Sequence, residues 1–102
     1  MAVNISVAYR PDVALLSAAS ATGSGVVVTG GYYSWMIWGT WGGTTAQLQW
    51  SPDGGTTWID IEEATASVNG GVSNIPIASG KVRVLLTGGS SISLSSKLGG
   101  IA

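Results

Sequence analysis

The chain is predicted to be all-β: a single antiparallel β-sandwich over residues 1–102, jelly-roll-like, with seven to eight short strands. Three observations lead to this. Apolar residues recur with a period of two in most segments, as in Val3-Ile5-Val7-Tyr9 and Val82-Val84-Leu86. Turn signals rich in Gly, Pro, Asp and Ser recur about every eight to twelve residues. The 102-residue length suits one core of two packed layers and no second domain.

Val3 to Tyr9 reads as a first strand, ended by Arg10-Pro11-Asp12. Val13 to Ala19 fits one or two helical turns capped by Asp12, and equally a short strand. Residues 1–24 are also long enough to serve as an extended N-terminal arm. Ser20 to Gly25 reads as a flexible connector, Val26 to Thr29 as a strand, and Gly30-Gly31 as a turn. Tyr32 to Thr40 is the most apolar piece, with Tyr33, Trp35 and Ile37 on one face and Met36 and Trp38 on the other. A strand apolar on both faces is either central between layers or pressed against another subunit.

Ala46 to Ile61 predicts a hairpin. Ala46, Leu48 and Trp50 alternate with Thr45, Gln47 and Gln49, and Thr57, Ile59 and Ile61 alternate with Trp58, Asp60 and Glu62. The intervening Ser51-Pro52-Asp53-Gly54-Gly55 joins a fixed proline φ, an aspartate able to accept backbone N–H bonds, and two residues free to take positive φ. Ala64 to Gly71 reads as a loop. Pro76 places Val72 to Ile77 at a sheet edge. Lys81 to Thr87 has Val82, Val84 and Leu86 inward, and Ser91 to Lys97 alternates Ile92 and Leu94 with serines. The Ser-rich run 90–96 resembles an edge used for strand addition between subunits, and equally any outer strand of a charge-poor protein.

Charged residues make up 9% of the chain, against roughly 25% in ordinary soluble domains. With a net charge of −1, interspersed charge does little to keep copies apart, which points to an outer surface partly covered in an assembly. Four basic residues against five acidic ones form no basic patch, so neither nucleic acid nor an anionic membrane is an expected partner. No run reaches the length of a spanning helix. Val13 to Ala21 faintly resembles the apolar part of a signal peptide, but the Arg10-Pro11-Asp12 break before it argues against that. Without His or Cys, neither a disulfide nor the usual zinc, copper and haem ligands exist, and no cofactor is expected.

Ser51, Asp53, Gly55, Thr57 and Trp58 match the Asp-box pattern Ser-x-Asp-x-Gly-x-Thr-Trp. The match resembles the structural hairpin that recurs in each blade of sialidases and other propeller proteins. It implies that Asp53 ties the turn and Trp58 packs against its base. One box, a chain too short for three blades, and only two arginines, Arg10 and Arg83, leave the propeller and the sialidase activity behind.

A wider resemblance covers most of the chain. The stretches GTWGGTTAQLQWSPDGGTTWIDI and KVRVLLTGGSSISLSSKL are similar to small all-β virion proteins of tailed bacteriophages. Members of that class with known roles decorate or cement capsids, or sit in tails and fibres. The resemblance implies a head decoration or cement protein on the capsid exterior, made in the host bacterial cytoplasm. Its partners would be the major capsid protein and further copies of itself, with a trimer matching local threefold positions.

No residue set spells out a reaction. A Ser-His-Asp or Cys-His arrangement has no histidine to use. Asp60 and Glu62 share a strand face, but solvated polar positions explain them better than a glycosidase pair. Asp60, Glu62 and Glu63 lack the alternating acids and glycine of a calcium loop. The expectation is therefore a non-enzymatic protein without a catalytic or metal site. Tyr32, Tyr33, Trp35, Trp38 and Trp41 are the candidate interface, with core packing expected to claim at least half of them. Alternatives are a tail, neck or fibre subunit, or a carbohydrate-binding module stacking these rings on sugars.

Overall fold

The computed structural model describes residues 12–100, so the strand expected over Val3 to Tyr9 lies outside the described residues. Eight strands follow in order: β1 (Val13–Ala19), β2 (Val26–Val28), β3 (Gly31–Thr40), β4 (Thr45–Ser51), β5 (Ile59–Ala66), β6 (Gly70–Ile77), β7 (Gly80–Thr87) and β8 (Ser93–Gly100). They form two four-stranded antiparallel sheets, β1-β8-β3-β6 and β2-β7-β4-β5. The pairs β1–β8, β2–β7, β3–β6 and β4–β5 show one long hairpin folded over and wrapped, so that β8 also meets β3 and β7 also meets β4. This is jelly-roll order, and the expected sandwich is present.

The core lies between the sheets. The first sheet supplies its bulk, with Leu16, Tyr33, Trp35, Ile37, Leu94 and Leu98 buried; the second supplies smaller side chains, Ala46, Ala64, Val82 and Val84, with Leu48. Large side chains from one sheet thus face smaller ones from the other. One polar link runs through it. Trp35 Nε1–H donates to Ser96 Oγ at 2.8 Å, and that hydroxyl donates to the Met36 carbonyl at 2.8 Å. The Tyr33 hydroxyl donates to the Thr29 carbonyl.

Four expectations need correction. Of the two readings open for Val13 to Ala19, the strand is present, joined to the sandwich through β8, so the described part of the expected N-terminal arm, residues 12–24, belongs to the sandwich. Two register shifts and a positive φ at Ala18 (48°) allow this irregular strand to follow β8. The connector Ser20 to Gly25 is tied to β7: Gly23 N–H donates to the Val84 carbonyl, and Thr22 Oγ1 accepts from Leu86 N–H at 3.0 Å. The expected loop Ala64 to Gly71 shrinks to 67–69, because β5 runs on to Ala66 and β6 begins at Gly70. The second half of the Ser-rich run, residues 93–96, belongs to β8, an inner strand paired on both sides, so it offers no free edge; residues 90–92 precede the strand. Its alternation fits that place, with Leu94, Ser96 and Leu98 inward. Pro76 does sit on an edge strand, β6, where its missing N–H costs no ladder bond.

The extension of β5 depends on a bulge that alternation does not reveal. Gln47 pairs with Thr65 and Gln49 with Asp60, so the four residues 61–64 of β5 stand against Leu48 alone, three more than a regular ladder holds. The Gln47 side-chain amide fills the gap, donating to the Ile61 and Ala64 carbonyls at 2.8 and 3.2 Å while accepting from Thr65 Oγ1.

Two stability predictions follow from these buried polar links. Ser96→Ala leaves the Trp35 N–H and the Met36 carbonyl unpaired and should cost about 1–3 kcal/mol in urea unfolding. Gln47→Leu should cost a similar amount, about 1–3 kcal/mol, by stranding the bulge carbonyls. A wild-type midpoint in either variant would contradict the assignment.

Candidate functional site

The Asp-box turn spans 52–58, longer than a two-residue hairpin loop, and is organised by two side chains. Asp53 Oδ1 accepts from Thr57 N–H at 2.8 Å, Thr56 N–H at 3.1 Å and the Ser51 hydroxyl at 2.9 Å. Ser51 Oγ in turn accepts from Gly55 N–H at 2.8 Å. Gly54 and Gly55 take φ values of 76° and 106°, the positive region that their pairing in the sequence anticipates. Bonds from Thr57 first, then from Ser51 and Thr56, lower the Asp53 pKa from 3.8 to about 2. All five motif residues thus belong to one structural unit.

Trp58 leaves this turn over the outer face of β2-β7-β4-β5. Its ring lies 4.3 Å from the Arg83 guanidinium carbon, and it comes so near Gly25 that a side chain there would meet Cη2 at 3.0 Å. Arg83 Nε donates to Gln49 Oε1, and Gln49 Nε2 donates to Asp60 Oδ1, both at 2.8 Å. Ring, cation, amide and carboxylate therefore form a continuous polar layer on this sheet, with Lys81 beside it on β7.

The outer face of β1-β8-β3-β6 has the opposite character. On β3, Tyr32 is 51% exposed, Met36 42% and Trp38 44%. Register sets Tyr32 beside Pro76, Met36 between Gly71 and Lys97, and Trp38 beside Ser95. Met36 lies flat over Gly71, where an added Cβ would come 2.4 Å from its sulfur. The charges here, Lys97 and Asp12, are paired with each other at 2.8 Å.

The five candidate interface aromatics therefore divide. Tyr33 and Trp35 are 2% and 0% exposed, so they belong to the core and are removed from the interface. Tyr32 and Trp38 stand outward on β3. Trp41 is half-buried, and its Nε1–H donates to Asn69 Oδ1 at 2.8 Å. Met36 joins the exposed pair.

A cavity of about 470 Å³ opens beneath the 67–69 crossover, lined by Trp35, Thr45, Thr65, Val68, Asn69 and neighbours, none charged. Among the described residues no three His, Cys, Asp or Glu side chains gather to hold a metal ion. Asp60 is engaged by Gln49, while Glu62 and Glu63 stand exposed on the β5 bulge. Asn69, Gln47 and Ser96 were not singled out by sequence reasoning; only the inward parity of Ser96 with Leu94 and Leu98 was available as a signal. No family model, curated protein or solved structure matches the chain.

Because the folded-state pKa of Asp53 is depressed, its contribution to stability is complete above pH 3.8 and is lost as pH falls toward about 2. Asp53→Asn should therefore lower the urea midpoint at neutral pH, and the gap to wild type should close across that acid window. A gap that stays constant down to pH 2 would show that the carboxylate charge has no part in holding the turn.

Proposed function

We propose that this chain is a non-enzymatic structural virion protein, a head decoration or cement protein of a tailed phage that binds where major capsid subunits meet and strengthens the shell. The observation that carries the reading is the contrast between its two outer faces. β1-β8-β3-β6 presents Tyr32, Met36 and Trp38 together along its inner strand β3, whereas β2-β7-β4-β5 carries a charged and hydrogen-bonded layer and has its exposed apolar side chains, Val27 and Ile59, apart on its two edge strands. Exposed apolar surface of this kind marks an attachment site, and Trp, Tyr and Met are enriched at such sites. In this reading the apolar face meets neighbouring copies and the capsid, and the polar layer faces solvent. The near-zero net charge suits a protein whose working state is an assembly. The resemblance to small phage virion proteins supplies the setting and the preference for a trimer.

The same surface favours attachment over a sugar platform. Tyr32 and Trp38 are six positions apart on one strand, about 20 Å at strand rise, with Met36 between them. That spacing does not offer contiguous rings to successive sugar units.

Light scattering over a range of concentrations, followed by binding to heads that lack the protein, tests the reading. Wild type should associate and raise the heat resistance of heads. Met36→Lys with Trp38→Ser should abolish both, while the unfolding free energy in urea changes by no more than about 0.5 kcal/mol because these positions lie outside the core. A wild-type monomer with Trp38-dependent retention on a sugar matrix would replace this reading with the carbohydrate-binding module.

A further inference from the structure

We propose that Asn69–Gly70 is a site of spontaneous, fold-assisted conversion of the Asn69 amide to a carboxylate through a cyclic imide. Asn69 lies in the exposed crossover between the two sheets and is followed by a glycine. Its Oδ1 accepts two hydrogen bonds, from Gly39 N–H at 3.0 Å and from Trp41 Nε1–H at 2.8 Å. Both partners are donors only, which fixes the orientation of the amide: the oxygen faces them and Nδ2 is turned away. Nδ2 has no hydrogen-bond partner among the described residues.

Two N–H groups aimed at one carbonyl oxygen do what an oxyanion hole does. They draw electrons from the carbon and hold the negative charge that develops when a nucleophile attacks it. The nucleophile is the backbone nitrogen of Gly70, which no side chain shields; it is the first residue of β6, so the terminal pair that it forms with Ile37 opens as it attacks. It attacks Asn69 Cγ and loses its proton, and the Nδ2 group leaves as ammonia, closing a five-membered succinimide. Water then opens the ring at either carbonyl, leaving aspartate or an isoaspartate with an extra methylene in the main chain. The sequence of steps consumes one water and releases one ammonia.

Selectivity follows from the neighbours. Asn74 is exposed but precedes the β-branched Ile75 and has no such pair of donors. Asp53 also precedes a glycine, but it is held as a carboxylate, which is a poor electrophile. Conversion at Asn69 would place a negative charge on the rim of the uncharged cavity, where Gly39 and Trp41 can still donate to it.

The test is peptide mapping by mass spectrometry, with an isoaspartate assay, after incubating the purified chain at neutral and mildly alkaline pH. Asn69 should convert well ahead of Asn74, and faster in the folded chain than in the same chain held in urea. Trp41→Phe removes one donor and should slow conversion by about tenfold, less than the 10²–10³ of a water-excluded oxyanion hole, because Trp41 is only half-buried. Gly70→Ala should slow it further by shielding the nitrogen; space for a Cβ is open there, but the φ of 158° strains an alanine, so this variant is read only where its urea midpoint shows it folded. Slower conversion in the folded chain than in urea, or wild-type speed in a folded Trp41→Phe variant, would overturn the proposal. The comparison between folded and urea-held wild type decides the matter even if Trp41→Phe does not fold.

Discussion

The hydrogen-bonded link from Trp35 through Ser96 to the Met36 carbonyl fixes how the two inner strands of the first sheet meet. Trp35 sits opposite Leu98 and Ile37 opposite Ser96, so the largest buried side chain is satisfied only in this register of β3 on β8. A slip by one residue would turn Trp35 outward, bury Met36 and Trp38, and strand an indole N–H in the core. The same bond that secures the core therefore also decides which side chains reach the outer face. Core and exposed apolar surface are two sides of a single strand.

That coupling accounts for the asymmetry of the sandwich. β7 places Lys81 and Arg83 outward, and Arg83 is matched by Gln49, through it by Asp60, and by the Trp58 ring. β3 places Tyr32, Met36 and Trp38 outward, with Pro76, Gly71 and Ser95 across from them. A sheet face with so little charge is stable in water only at the cost of exposed apolar area, and covering it in an assembly relieves that cost.

Uncharged polar side chains do much of the work that irregular backbone demands. Gln47 fills the β5 bulge, Asn69 fastens the crossover to the end of β3, and Thr22 closes the connector onto β7. Each supplies a donor or acceptor where the strand ladder cannot, as buried or half-buried backbone requires. This is how a chain with 9% charged residues satisfies its backbone, and it gives its few Gln and Asn, along with some of its many Ser and Thr, a structural role.

Much of the architecture was legible in the sequence because burial follows parity. The inward set Val82-Val84 and the division of β3 into a Tyr33-Trp35-Ile37 face and a Met36-Trp38 face are read directly from a period of two, and Pro76 correctly marks an edge. The Asp-box turn was legible in full because all its bonds join residues within seven positions of one another. Parity could not say which of two apolar faces is inside, so Tyr33 and Trp35 were grouped with Trp38 until the facing sheet claimed them. Nor could it find the β5 bulge, the tethered connector or the inner place of β8, because each depends on hydrogen bonds to strands distant in sequence. By itself the sequence determined the fold class, the alternation of the strands and the central turn, all local consequences of side-chain size and backbone freedom. Only the tertiary structure decided which surface remains uncovered, since that depends on which strands become neighbours once the long hairpin wraps upon itself.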